Sequence, residues 1–574
     1  MKEKAIFSIL SPLNEDTEYK QLSTTSCHDL GLDTICNELS DDPKERNLIM
    51  NIISNMTCDP RVAEYRQEVF SDILKLPEFR EHMSELFDKF EFMRNFGSAH
   101  REMDEKHSLW HLLHRLDELS DYIKCVEAMR ECLSDERITS EGLTNFRKYI
   151  ETLYNDACFA EMKKDIIELK KKTYDIQSVT IGINVNERFE AVSMGLVSIN
   201  NKPFKKSGIV SNFADAIASK NKIQSGTDWD GDMRYHLVEK EHTESVFKFI
   251  ENLGGFMAVR NTPFVDGRIR STLVNAPDGN GVSSSTFYLD GVLNKMLDSI
   301  VRKLRDTLSK YADIAIINIS QIIPEFIYYI RFAEFITRYS KKGFTFSAPE
   351  LLNHADTSMD TRDAYNLKLA LNSESMKDIV GNDLIFDKEH TIYILTGANR
   401  GGKTTITQAI GLMYVLAQGG ISVPAASFRY RPADCVYTHF PADEDKTMDL
   451  GRLGEECVRF RDIYSQCTEN SLLLLNETFS TTSFEEGYYI ARDSVKALLQ
   501  KKVRTIYNTH MHKLASDAEE LSKNAEGAGI SSLIMKNDNG KRLFKVEVGA
   551  PEGSSYARDI AEKYGVTYEM LTNS

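Results

Sequence analysis

The stretch TIYILTGANRGGKTTITQAIGLM, residues 391–413, decides how this chain is read. TIYIL is a short apolar run rich in β-branched residues, which suits a buried strand. Gly397, four further residues, Gly402, Lys403 and Thr404 match G-x-x-x-x-G-K-[ST] without a gap. The apolar spacing that follows predicts a helix. Strand, glycine loop and helix is the arrangement in which backbone N–H groups curl round phosphates. In it Lys403 reaches the β- and γ-phosphates and the Thr404 hydroxyl ligates Mg²⁺. Gly397, Asn399, Gly401, Gly402, Lys403, Thr404 and Thr405 are therefore candidate residues for binding ATP, with Mg²⁺ as the accompanying cofactor.

A phosphate loop needs a neighbouring strand that ends in polar groups. SLLLLNETF, residues 471–479, provides four leucines followed by Asn476 and Glu477. Glu477 is placed to polarise an attacking water as general base. Asn476 stands at the metal-supporting position, where it offers an amide oxygen to a metal-bound water but no charge. A third run, VRTIYNTH at 503–510, puts His510 just past a strand end, within reach of a γ-phosphate. The expected activity is ATP hydrolysis to ADP and phosphate, with Glu477 and His510 catalytic and Thr404 and Asn476 at the metal.

Working outward, the texture of the chain changes near residue 375. Upstream, helical apolar spacing fills 44–97, broken near Pro60 and Pro77, then 108–133 and 141–178. IGINVNERFEAVSMGLVSIN reads as extended chain, and 201–290 is the least regular part. Helical spacing returns from Leu293 to about Gln321 and again over 325–341. Downstream, strands alternate with helices, and SLIMKND with KRLFKVEV flanks Asn539-Gly540 as a hairpin. The 574 residues suit about three or four domains. Lys and Arg number 70 against 86 Asp and Glu, a net charge of −16, which disfavours a broad basic DNA-coating role but not a local contact. Nine cysteines without a C-x-x-C pair exclude a disulfide framework and a zinc ribbon and fit a reducing cytoplasm. No apolar run approaches the roughly 20 residues that span a bilayer, so no membrane partner is expected.

These motifs together resemble the MutS family of DNA mismatch repair. TGANRGGKTT is similar to its phosphate loop, GGISVPAASFRY to its G-x-x-VPA segment, LLLLNETFSTTS to its strand and loop, and NTHMHKL to its TH-x-x-x-L. DLGRLGEECVRFRDIY falls where the family carries its ABC-type signature; Glu456 matches the signature glutamate, and Gly451 stands at the signature serine. FKVEVGAPEGSSYARDIAEKYGV resembles the family's ending, and DPRVAEYRQEVFSDILKLPEFREHM the start of its lever domain.

The resemblance implies an all-α lever and clamp body followed by an α/β P-loop ATPase domain of the ABC type. The implied divisions are an N-terminal segment 1–40, a helical lever 41–200, a clamp-like region 201–290, returning lever helices 291–374, and an ATPase domain 375–574 that ends in a dimerisation segment. The implied working unit is a homodimer in which Gly451 and Glu456 of one chain complete the nucleotide site of the other. ATP would then close a clamp round double-stranded DNA, mismatched or branched, alongside other repair proteins. Lys202, Lys205 and Lys206 lie in the clamp-like region and are candidate contacts to DNA phosphates. Too little chain precedes residue 40 for the family's mismatch-reading and connector domains, so indifference to a single mismatch is expected. The alternatives are an SMC-like or MutS-like recombination or ribosome-associated ATPase, and a nucleotide-switched scaffold that scarcely hydrolyses ATP.

Overall fold

The computed structural model describes residues 7–12, 17–97, 109–173, 178–185, 187, 191–200, 298–311, 322–352, 357–398, 401–441, 451–523, 527–538, 541–551, 562 and 564–572. The chain begins with β1 (Lys20–Gln21), α1 (Thr24–Leu30), α2 (Leu32–Leu39), α3 (Pro43–Ile53), β2 (Asn55–Met56), α4 (Pro60–Lys75) and α5 (Pro77–Gly97). Next come α6 (Leu109–Leu133), α7 (Glu141–Tyr154), α8 (Ala157–Thr173), β3 (Ser178–Val185), β4 (Ala191–Asn200), α9 (Asp298–Ser309) and α10 (Ile323–Lys341). The rest is mixed: β5 (Glu350–Leu351), β6 (Thr357–Ala364), β7 (Asn382–Asp387), β8 (Ile392–Thr396), α11 (Lys403–Gln418), β9 (Ser427–Tyr430), β10 (Val436–His439), α12 (Arg452–Gln466), β11 (Leu472–Asn476), α13 (Phe484–Gln500), β12 (Arg504–Asn508), β13 (Ile530–Asp538) and β14 (Lys541–Val548). A helical portion and an α/β portion thus share one chain, and no described helix is long and apolar enough to cross a membrane.

Local sequence explains the helix boundaries. Pro43 and Pro60 open α3 and α4, where a missing N–H costs nothing, and Asp42 and Asp59 cap them by accepting the Lys44 and Arg61 N–H groups at 2.8 and 2.9 Å. Pro77 separates α4 from α5 because a proline ring clashes with the preceding turn. Of the helix expected over 293–321, the described part is α9; the remainder lies outside the described residues.

Contacts gather the chain into two compact units, residues 1–87, 130–149 and 317–574 in one and 88–129 and 150–316 in the other. In the second, Tyr311 donates to the Asp165 carboxylate at 2.8 Å and Tyr122 meets Phe159 edge-on; β3 and β4 pair antiparallel.

The first unit is built on a six-stranded sheet of order β10-β11-β12-β8-β13-β14, parallel except for β14. Leu472 to Leu475 in β11 are fully buried, as a strand covered on both faces requires. Register matters more than order here: β11 and β12 pair so that Asn476 faces Asn508, which sets the two polar strand ends side by side. A four-stranded sheet of order β5-β9-β6-β7 stands beside it. Its strand β6 lies upstream of residue 375, within the stretch read as returning helices. TSMDTRDA is almost wholly polar, so its strand state comes from pairing with β7 and β9 and leaves little mark on hydropathy.

Residues 24–39, in the stretch read as a separate N-terminal segment, also belong to this unit. The Asp29 carbonyl accepts from Gln408 of α11 at 2.7 Å, and its carboxylate accepts from Thr438 at 2.6 Å. Gly411 makes that approach possible, since a Cβ there would stand 2.6 Å from Leu30 Cδ2 and 2.5 Å from Leu474 Cδ1. Helix α11 is therefore held between α1 and the sheet.

Candidate nucleotide site

The phosphate loop leaves β8 at Thr396 and enters α11 at Lys403. Gly397 and Gly402 take φ of +140° and +101°, backbone that side chains other than glycine rarely adopt. The loop therefore curls tightly enough for α11 to begin with its N–H groups turned to one cavity. Lys403 is buried and folds back over the loop, donating to the Gly397 carbonyl at 2.9 Å. Burial lowers its pKa, and the charge of Glu477 acts in the opposite direction. A cavity of about 400 Å³ lies at the loop, lined among others by Gly401, Gly402, Lys403, Thr404, Thr405 and Glu477. Asn399 falls outside the described residues.

Glu477 follows the last residue of β11 and takes φ of +55°. Its N–H donates to the Asn508 carbonyl at 2.9 Å, and its Oε1 lies 2.8 Å from His510 Nε2. The structure thus brings together the two residues read as catalytic, with both side chains partly exposed. His512, two residues on, is held below the ordinary histidine range by burial and by the neighbouring His510 and Lys403.

Asn476 is hydrogen-bonded within the protein. Its Oδ1 accepts from the Thr404 hydroxyl at 3.1 Å and from Asn508 Nδ2 at 3.1 Å. The amide oxygen expected to receive a metal-bound water is shared here by these two donors. Thr404 keeps an oxygen lone pair for Mg²⁺. Among the described residues no group of three or more His, Cys, Asp or Glu side chains could hold a metal ion.

Gly451 and Glu456 are not in the cavity. Gly451 is the exposed cap of α12. Glu456 turns into its own chain, where burial raises its pKa against the opposing influence of the nearby Phe479 N–H and Thr481 hydroxyl. Lys202, Lys205 and Lys206 lie outside the described residues.

Sequence reading missed four contributors. Asn508 carries the amide that fixes Asn476; its place directly before Thr509-His510 was the available sign. Phe544, at φ +55°, stands at the cavity mouth close to Gly402. Asn382 holds it there, donating to the Phe544 carbonyl at 3.1 Å and accepting the Val546 N–H at 2.8 Å. Buried His439 joins β10 to both β11 and α12, with Nδ1 3.0 Å from the Thr478 hydroxyl and Nε2 3.2 Å from the Glu456 carbonyl; burial pushes it down to about 4. Phe544, Asn382 and His439 act through contacts distant in sequence and left no local pattern.

Residues 393–574 match MutS domain V, and residues 58–221 match the MutS2 N-terminal domain. The chain belongs to the MutS family. Among curated relatives, this MutS-family chain is 33% identical over 199 residues to the DNA mismatch repair protein MutS of Prochlorococcus marinus (strain MIT 9301), covering 34% of the chain and 21% of that relative. It is 28% identical over 194 residues to Endonuclease MutS2 of Thermus thermophilus, covering 34% and 25%. With the MutS of Chlamydia muridarum it shares 26% identity over 293 residues, covering 50% and 34%. The matches thus span only about a fifth to a third of these relatives' lengths.

Proposed function

We propose that this chain is an ATP-binding, DNA-acting ATPase of the MutS family, serving mismatch repair or a related recombination process. The observation that carries the reading is the convergence of Lys403, Thr404 and Glu477 on one cavity beside a glycine loop, with His510 2.8 Å from Glu477. Lys403 would hold the β- and γ-phosphates, and the backbone N–H groups at the start of α11 would share their charge. Phe544 would border the base. Glu477 would take the proton of the attacking water once a γ-phosphate draws His510 away from it. Mg²⁺ arriving with the triphosphate would supply charge neutralisation, with the Thr404 hydroxyl as its protein oxygen; the other roles belong to the residues named.

The further proposal is a homodimer of ABC type, with levers that carry closure of the ATPase heads to a DNA clamp. Light scattering with and without ATP tests the dimer, and a monomer in every nucleotide state at micromolar concentration counts against it. Lys202, Lys205 and Lys206 would contact DNA phosphates; replacing all three by Glu should weaken binding to every duplex and flatten its salt dependence. A second reading, a nucleotide switch with little turnover, is favoured by the amide at Asn476. Steady-state ATP hydrolysis measured with and without DNA separates the two: turnover that DNA stimulates supports the ATPase, and tight binding without turnover supports the switch.

A further inference from the structure

Phe544 takes a left-handed backbone, φ +55°, in β14, the edge strand of the six-stranded sheet, and it is 44% exposed at the cavity mouth. The pairing of β13 with β14 shows how it gets there. Met535 faces Val546 and Asn537 faces Arg542, so Lys536 alone stands opposite Leu543, Phe544 and Lys545. A bulge of this kind re-aims a side chain, and the left-handed conformation persists only where neighbouring groups hold it. Asn382 of β7 is that holder. It is buried, its Nδ2 donates to the Phe544 carbonyl at 3.1 Å, and its Oδ1 accepts the Val546 N–H at 2.8 Å. A backbone carbonyl only accepts and a backbone N–H only donates, so this amide has one orientation. It takes the place of a neighbouring strand's peptide group on the open edge of β14.

The cavity beside the glycine loop is not lined by phosphate-binding groups alone. Leu369, Val380, Asn382 and Phe544 line it as well. A Cβ on Gly402 would stand 3.5 Å from Phe544 Cδ1, so the ring reaches the loop that opens α11. A triphosphate has no apolar face to lay on such a surface. A nucleobase has one, since every base carries a π-face that stacks on an aromatic ring. We infer that Asn382 is a positioning residue: it locks the β14 bulge so that the Phe544 ring stands as a preformed platform for the base of a nucleoside triphosphate. The inference rests on the nucleotide reading of the cavity.

The test is calorimetric titration of the full chain with ATP and with inorganic tripolyphosphate, both in excess MgCl₂. Phe544→Ala should weaken ATP binding about tenfold and change tripolyphosphate binding less than about threefold. Asn382→Leu, similar in volume but unable to make either bond, should reproduce that split. The double variant should bind ATP within about threefold of Phe544→Ala, because Asn382 acts only through the ring. Where Asn382→Leu does not fold, Asn382→Ser is measured in the same way. A loss at 382 that is equal for the two ligands, or that multiplies with the loss at 544, overturns the positioning role, as does wild-type ATP affinity in the 382 variant. Phe544→Ala binding ATP as tightly as the wild type removes the platform and leaves the nucleotide reading standing. No ATP binding by the wild type, with Lys403→Ala indistinguishable from it, would sink that reading and the inference with it.

Discussion

Helix α11 has two ends built on opposite principles. At its N-terminal end, Gly402, Lys403, Thr404 and Thr405 line a cavity. At its C-terminal end polar groups are tied to the scaffold. Buried Gln418 donates from Nε2 to the Thr57 and Ala433 carbonyls, both at 2.7 Å, and accepts the Ala433 N–H at 2.9 Å. Its own carbonyl accepts from Arg66 at 2.9 Å, and the Gly419 carbonyl accepts from Tyr328 at 3.0 Å. Arg66 also donates to the Leu10 carbonyl at 2.8 Å. One end is open to a ligand; the other is fastened to α4, α10 and residues 8–10. The difference teaches that function and stability of the same helix are separable by position.

The sharpest way to break that separation is at the open end. Glu477→Ala should lower ATP turnover by about 10²–10⁴-fold while nucleotide affinity and melting temperature hold, because only a general base is lost. Lys403→Ala should abolish measurable nucleotide binding. A large fall in melting temperature in either variant would mean that the open end also holds the fold. At the fastened end, Gln418→Leu leaves three backbone groups without partners and should cost roughly 2–4 kcal/mol in urea unfolding, with affinity unchanged in the folded protein. An affinity loss as large as the stability loss would show the two ends to be coupled.

A pH series sharpens the comparison further. Glu325, in the first turn of α10, accepts the Ile9 N–H at 2.7 Å and the Ser8 hydroxyl, and burial raises its carboxyl to about 7 from an ordinary 4.5. The folded chain therefore holds this proton more tightly than the unfolded one. The contribution is full below pH 4.5 and is lost as pH rises through about 7. Glu325→Gln should remove that part of the slope, a difference of about 1–3 kcal/mol between acid and neutral solution. An unchanged slope would place the titration elsewhere. Smallest is Tyr328→Phe, which deletes one buried hydroxyl bond and should cost about 1 kcal/mol.

The two ends also differed in legibility. Gly397 to Thr405 could be read directly, because a phosphate loop forces glycines and a lysine into fixed spacing. Glu477 and His510 were legible from apolar runs that end in polar residues, and the same runs located β8, β11 and β12, whereas β10 and the six-stranded order were not read. The fastening at Gln418 was not legible: its partners Thr57, Arg66, Tyr328 and Ala433 are spread over most of the chain, and each alone is an ordinary helix or loop residue. The positions of Gly451 and Glu456 came from resemblance, whereas the burial of Glu456 near Phe479 and Thr481 arises in the fold. Asn476 shows how a strand end can be located from sequence while its hydrogen-bonding role waits on the opposing strand.

The left-handed backbone at Glu477 carries a consequence for adaptation. A residue with a Cβ in that conformation costs about 1–2 kcal/mol, and glycine or asparagine relieves it. Glu477→Gly should therefore raise the melting temperature while removing the proposed base. A library of variants selected only for heat resistance would drift toward glycine or asparagine at this position, and the same library selected for turnover would restore glutamate. Residue 477 is where stability and activity would pull the sequence in opposite directions.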